Sequence, residues 1–305
     1  MSGAVVSYPR DMVGYGADRP DADWPNGARI AVQFVLNYEE GGENNVLHGD
    51  PASEAFLSEI VGAASWPGQR HMNMESIYEY GSRAGFWRLH RMMRDLPVTV
   101  FAVASAMERN PAAVEAMLEA GWEVASHGLK WIDYRDVPAE IEREHLERAF
   151  AIHERLTGAR PAGLYQGRTS ANTVPIAEDM GVGIASGWLA DSYADDLPYY
   201  LASGALVVPY TLDANDMRFA TPQGFNSGDQ FESYLRDTFD VLLAEGREGK
   251  AAMMSVGLHA RLVGRPGRAA ALARFIDHVR AHDDAWIATR GEIADHWRRR
   301  YPFKG

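Results

Sequence analysis

The chain has 305 residues and no cysteine. Disulfide scaffolding and thiolate chemistry are therefore excluded, and any metal would have to be held by His, Asp and Glu. No apolar run approaches the roughly 20 residues that a membrane helix requires. The amino terminus, MSGAVVSYPRDMVGYG, lacks a basic segment followed by an apolar stretch, so no signal peptide is apparent and a cytoplasmic protein is expected. Positive charge is scarce, with 30 Lys and Arg against 42 Asp and Glu, a net charge of −12. Neutralising phosphates needs a basic face, so neither nucleic acid nor a membrane is an expected partner. A small-molecule substrate, neutral or zwitterionic, fits this balance better. What is plentiful is apolar character, 46% of residues, enough for a large core. An α/β barrel of this length commonly forms one domain.

Residues 1–28 are rich in Pro, Gly and Asp and show no period; they read as an extended arm lying on the domain, residues 29–305, or on a neighbouring subunit. The run Ala31 to Asn37 has the continuous apolar character of a buried parallel strand. A long irregular stretch follows from Tyr38 to Gly81, and loops of that length are uncommon unless functional. From there, helix and strand patterns alternate. Helices are expected over about 82–94, 111–120, 138–156, 173–180, 228–245 and 266–282. Strands are expected over 98–104, 122–128, 163–167, 182–187, 206–210, 252–259 and 285–289. Repeated β-then-α units with buried strands predict a parallel sheet with helices outside it, closed or nearly closed into a distorted (β/α)7, TIM-like barrel. No G-x-G-x-x-G follows the first strand, so the usual nucleotide signature of an open doubly wound sheet is absent.

In such folds the site sits at the carboxyl ends of the strands. Charged and imidazole groups recur there: Glu39, Glu40 and Glu43, then His127, Arg168, Asp191 with Asp195 and Asp196, Asp213 with Asp216, and finally His259 and Arg261. Adjacent carboxylates at a strand end point in different directions. Glu39 and Glu40 can thus take two roles, base and ligand or base and orienter, unless one caps the next turn or pairs with an arginine. His127 and His259 on two different strands suit acid–base or electrophilic use, although a histidine there can also be a core residue bonded to a carbonyl. The Arg168 fork could hold a substrate oxygen, or pair with Glu40 or Asp191. Aromatic residues in the post-strand loops, among them Trp131, Tyr134, Trp188, Tyr193 and Tyr199, would suit a small planar ligand.

The order of these pieces resembles the polysaccharide deacetylases, the NodB-homology fold. Their T-F-D-D-G stands here as N-Y-E-E-G (Asn37 to Gly41), their H-x-x-x-H as HGLKW (His127 to Trp131), their Arg motif as GRTSANT at Arg168, and their final L-H as Leu258-His259. In that family the first Asp is the base, while the second Asp and two histidines hold a divalent metal. Here both Asp are Glu and the second histidine is Trp131, which leaves at most Glu40 and His127 as ligands. No cofactor is expected, with a weakly held divalent metal such as zinc left open. These departures, together with NYEEGGE, SIYEYGSRAG, DDLPYY, YTLDANDMRF and GLHARLVGRP, are similar to the allantoinase-like and cyclic-imide hydrolase branch along nearly the whole chain. That resemblance implies ring-opening hydrolysis of a cyclic amide or ureide, allantoin foremost, in cytoplasmic purine catabolism by a homo-oligomer, a tetramer.

On this resemblance Glu39 is the expected base, His259 the acid, and His127 with Arg168 the stabilisers of the oxyanion. Glu40 and Asp191 would orient them, and Trp131 would form a pocket wall. Substrate contact is expected from Glu40, Trp131, Tyr134, Asp191, Asp216 and Trp188. Three other readings stay open: a metal-dependent carbohydrate N-deacetylase, a cyclic imide hydrolase and a non-catalytic small-molecule binder.

Overall fold

The computed structural model describes residues 10–304. Its first strand, β1 (Ile30–Tyr38), is buried at every position. Alternate residues face opposite ways along a strand. Ile30, Val32, Phe34, Leu36 and Tyr38 belong to the large core beneath the outer helices, whereas Ala31 and Val35 belong to the core inside the sheet. Helices α1 (Met72–Tyr80) and α2 (Phe86–Met93) follow, joined by a π-helical turn at Gly81–Gly85. Strand β2 (Val98–Ala102), helices α3 (Ala104–Arg109) and α4 (Pro111–Glu119), and strand β3 (Glu123–Ser126) come next. Then come α5 (Ala139–Thr157), β4 (Gly163–Leu164), α6 (Thr173–Asp179), β5 (Trp188–Leu189), β6 (Tyr199–Tyr200) and β7 (Leu206–Val207). The chain ends with α7 (Gly228–Arg247), β8 (Ala252–His259), α8 (Pro266–Arg280), β9 (Ala285–Ile287) and α9 (Arg290–Arg300).

The strands form one curled sheet in the order β6-β7-β5-β4-β3-β2-β1-β8, with β9 also paired to β1. All pairings are parallel except β6 with β7. The register aligns Asn37 with His259 and Tyr38 with Ala102, and Ala102 in turn with Ser126. Residues just beyond these positions therefore emerge at one level of one barrel end. Between β7 and β8 the sheet does not zip shut; Gly257 N donates to Ala214 O at 3.0 Å and Met253 N to Asp196 O at 2.9 Å across the seam.

Arg290, the first residue of α9, fills the interior beside that seam and is fully buried. Its Nη1 donates to Gln33 Oε1 of β1 at 2.6 Å and to Ser255 Oγ of β8 at 3.3 Å, while Nη2 donates to the carbonyls of Val208 and Pro209 beyond β7. One guanidinium thus ties the two unzipped edges together. Its fork supplies the several directed donors that no apolar side chain could offer to buried carbonyls.

Two expectations need correction, and three elements were not expected. The helix expected from residue 82 begins at Met72, because residues 72–93 run through the π turn as one helical stretch. Residues 182–187 are a turn, not a strand. Gly181, Gly183 and Gly187 all adopt positive φ (83°, 81° and 71°), which breaks extended geometry, and the strand starts at Trp188. Helices α3 and α9 were not foreseen, although Thr289 and Glu292 form a capping box that marks the start of α9. Strand β6 was also unforeseen. Of the expected N-terminal arm, residues 1–9 lie outside the described residues. Residues 10–28 hold a single 3₁₀ turn at Pro25–Gly27, and the buried Trp24 donates from Nε1 to Ala252 O at 3.0 Å. No helix among the described residues is long and apolar enough to cross a membrane.

The π turn packs directly on the loop after β8. A Cβ built on Gly85 would stand 2.0 Å from the Ala260 carbonyl oxygen, so only glycine permits this approach. Gly85→Ala should destabilise the fold by about 1–3 kcal/mol, the usual cost of overpacking, read as a lower urea midpoint at unchanged slope.

Candidate active site

Strand parity decides what enters the barrel. Glu39 continues the inward series Ala31, Gln33, Val35 and Asn37, while Glu40 continues the outward series toward the α1–α2 stretch. A Cβ on Gly81 of the π turn would lie 2.4 Å from Glu40 Oε1, so glycine there makes room for this carboxylate. His127 shares the inward parity of Ala125, and His259 that of Met253. The three groups meet: His127 Nε2 lies 3.2 Å and His259 Nε2 3.5 Å from Glu39 Oε1. Each is almost completely buried.

Arg261 supplies the counter-charge. Its guanidinium, wholly buried, donates from Nη2 to Glu39 Oε2 at 2.6 Å and from Nε to Leu57 O at 2.8 Å, and Nη1 lies 3.6 Å from Glu40 Oε1. Tyr78 stacks beneath it, with the Arg261 carbon 4.4 Å from the ring centre. Burial would push the Glu39 carboxyl up, but the charges of Arg261 and His259 and the hydrogen bonds from His127 and His259 outweigh it. Glu39 is held well below the usual carboxylate range and stays ionised. Glu40 moves the other way: burial raises it, Arg261 offsets part of that, and the Glu39 charge adds to it.

A second relay sits behind His259. Asp216, in a 3₁₀ turn (Asp216–Ala220), accepts from His259 Nδ1 at 2.6 Å, and its Oδ2 accepts the backbone N–H groups of His259 and Val263 at 2.8 and 2.9 Å. Burial would lower the imidazole, but Asp216 and then Glu39 outweigh that and raise it to about 9. At neutral pH His259 is an imidazolium whose Nε2–H faces Glu39.

Above these groups lies a cavity of about 210 Å³. Its floor is Glu39, His127 and His259 with Asn37 and Asn215, and its walls include Phe56, Trp131, Tyr165, Tyr193 and Tyr210. Phe56 and Trp131 stack nearly parallel, 15° apart, and Arg168 lies over both rings at 5.2 and 4.7 Å. Arg168 also donates to Trp131 O at 3.3 Å and stands 3.8 Å from Glu54. Tyr210 was not foreseen. Its hydroxyl accepts from Asn37 Nδ2 at 2.8 Å and Asn215 Nδ2 at 3.4 Å, so its own proton is left to donate into the cavity. Burial pushes that phenol up, which keeps it protonated.

Five residues expected to touch substrate do not line this cavity. Glu40 points outward by strand parity. Tyr134 is buried, with its hydroxyl 3.0 Å from His145 Nδ1. Trp188 packs inside the barrel and donates to Glu123 Oε1 at 3.2 Å. Asp191 accepts the backbone N–H groups of Gln166 and Gly167 at 2.7 and 2.6 Å, so it shapes the loop that carries Arg168 rather than orienting an imidazole. Asp216 supports His259 from behind. Arg261 was visible as a charge after the last long strand but was given no role. Only the fold shows that it returns toward Glu39.

Barrel, inward carboxylate and paired imidazoles define a hydrolase of the NodB type. The comparisons agree. Residues 78–185 match the polysaccharide deacetylase family model. A Schizosaccharomyces pombe protein named as a polysaccharide deacetylase is 41% identical over 97% of this chain and 98% of its own length. The chain belongs to the polysaccharide deacetylase family. Among solved structures, Puue allantoinase is 52% identical with a TM-score of 0.95, covering 98% of this chain and 100% of that one. A Pseudomonas aeruginosa PAO1 structure named as a polysaccharide deacetylase is 54% identical with a TM-score of 0.94, covering 97% and 100%.

A divalent ion does not fit the donors at the cavity floor. Trp131 presents an indole where the family's pattern has an imidazole, and Glu40 is turned out of the cavity. The guanidinium of Arg261 already binds Glu39 at 2.6 Å, so a fixed cation stands within reach of both carboxylates. Replacing it should be costly. Arg261→Met leaves two buried carboxylates without their counter-charge and should destabilise the protein by about 3–5 kcal/mol in chemical denaturation.

Proposed function

We propose that the protein is an amidohydrolase that opens a cyclic amide or ureide ring, with allantoin as the foremost substrate. The cavity carries this reading. At about 210 Å³, walled by stacked aromatic rings, it has room for one small planar ring. The 52% identity to Puue allantoinase supports the same choice.

In this mechanism a water sits between Glu39 Oε1 and the ring carbonyl. Glu39, ionised but a weak base because of its partners, takes the proton as the oxygen attacks. The Tyr210 hydroxyl donates to the carbonyl oxygen as negative charge develops there, which is where preorganised donors act most strongly, while His127 keeps its Nε2 on Glu39 Oε1 at 3.2 Å. The carbon–nitrogen bond breaks as the His259 imidazolium protonates the departing nitrogen. The proton on Glu39 then passes to His259 Nε2, 3.5 Å away, and the pair is reset. Arg168 covers the ring from the cavity mouth, where its fork can bind a carbonyl of the substrate. Asp216 and Arg261 act through His259 and Glu39 and are positioning residues.

A metal-dependent sugar N-deacetylase is the competing reading, favoured by the names of the S. pombe and P. aeruginosa relatives. Allantoin, hydantoin, succinimide and an N-acetylated chitooligosaccharide, each assayed with and without EDTA, separate the two. Ring opening that survives EDTA is expected; deacetylation abolished by EDTA would replace the proposal. Glu39→Gln should lower kcat on the preferred ring by about 10²- to 10⁴-fold, and a loss of only a few-fold would remove Glu39 from its role.

The pH profile supplies an independent check. His259 must be protonated to act as acid, so activity should fall as pH rises through about 9. Asp216→Asn removes the larger of the two raising charges while burial still lowers the imidazole. The alkaline limb should therefore move to lower pH. A profile unchanged by this substitution would contradict the assignment of His259.

A further inference from the structure

We propose that the outer surface of α7 and α8 carries a divalent transition-metal site formed by Asp240, His278 and His282, separate from the barrel floor. The three side chains each offer a ligand atom, and these atoms lie within 4.8 Å of one another. Asp240 comes from α7; His278 lies in the last turn of α8 and His282 in the turn just past its C-terminal end at Arg280, and their rings stand 4.9 Å apart.

The arrangement of each ring points toward coordination. His282 Nδ1 lies 2.9 Å from the His278 carbonyl oxygen and must be the protonated nitrogen to donate there, which leaves Nε2 with an outward lone pair. A backbone carbonyl fixing the far nitrogen is how metal-binding histidines are usually oriented. His278 Nε2 meets Asp240 Oδ1 at 2.7 Å, so these two ligand atoms already converge. Phe239 braces both rings, at 5.3 and 5.1 Å, and the imidazoles stand 4.9 Å apart. Phe239 in turn packs edge-on against Phe275, which anchors the brace in the core. The platform is therefore built, although Asp240 is exposed and the imidazoles are only half-buried.

Two imidazole nitrogens and one carboxylate oxygen select zinc, cobalt, nickel or copper over magnesium or calcium, which prefer oxygen. Ligands at roughly 2.0–2.1 Å from a tetrahedral zinc lie about 3.3 Å from each other. The His278–Asp240 contact need open by only about half an ångström, and water can fill the remaining position from the solvent side. The bound ion would clamp α7 to α8.

The test uses the full chain stripped with EDTA and titrated with zinc chloride by calorimetry. One ion per chain is expected, with a melting temperature that rises with zinc. Tetrahedral cobalt absorption should appear when cobalt(II) replaces zinc. His282→Ala and Asp240→Asn should each weaken binding about tenfold or more and abolish the thermal shift; both sites lie at the surface, where the fold tolerates change. An anomalous difference map from zinc-soaked crystals should place the ion between the three side chains. Absence of stoichiometric binding, affinity unchanged by His282→Ala, or an anomalous peak at His127 instead would each overturn the proposal. Hydrolytic activity should be the same in both variants, so this result stands or falls apart from the reaction assigned to the barrel.

Discussion

A guanidinium with no contact with water lies beside two buried carboxylates, and the active end of the barrel is arranged around it. Removing an arginine and two glutamates from solvent is expensive unless the charges pair and their hydrogen bonds are met. Arg261 pairs its charge with Glu39 and Glu40, donates to Glu39 and to the Leu57 carbonyl and lies over the Tyr78 ring, while its Nη1 makes the ion pair to Glu40 without a hydrogen bond. Its position depends on the loop after β8 lying tightly against the π turn, where Gly85 admits the Ala260 carbonyl. The ionisation of Glu39 therefore depends on a helix irregularity some 46 residues further along the chain. Function and packing share one set of contacts here.

Within that frame the two relays divide the work of protons. Arg261 lowers Glu39, while Asp216 and Glu39 raise His259, so the pair sits at opposite ends of its titration range at neutral pH. Environments that push neighbouring groups apart are what assign acid and base in an active site. In the proposed mechanism the cation that sets this contrast is the chain's own Arg261.

Much of this was legible in the sequence, for definite reasons. Strands β1 and β8 are continuous apolar runs with no competing helical period, and their ends carry Glu39, Glu40 and His259. Alternation along β1 also implied that the adjacent glutamates face opposite ways; which of them faces inward required the two cores to be seen. Asp216, Asp191, Tyr134 and Trp188 were read as contacts with substrate because they follow strands. Sequence position cannot tell a side chain that enters a cavity from one that supports its neighbour from behind. Tyr210 was passed over for a related reason, since its usefulness lies in two asparagines, Asn37 and Asn215, that are remote from it or hidden in a turn. Around residues 182–187 a short apolar run imitated a strand, and three glycines with positive φ decided otherwise.

Arg290 has a consequence for the life of the polypeptide on the ribosome. The guanidinium that ties β1 to the far side of the barrel is 257 residues away from its partner Gln33. Strand β1 also waits for β8 and β9 before either of its edges is complete. A nascent chain can form its early helices and the β1–β2–β3 pairings, but it holds an open, half-apolar trough until nearly all of it has been translated. Folding rates fall when decisive contacts are this distant in sequence. Until α9 is available, the buried carbonyls of Val208 and Pro209 lack the guanidinium donors that they have in the folded barrel.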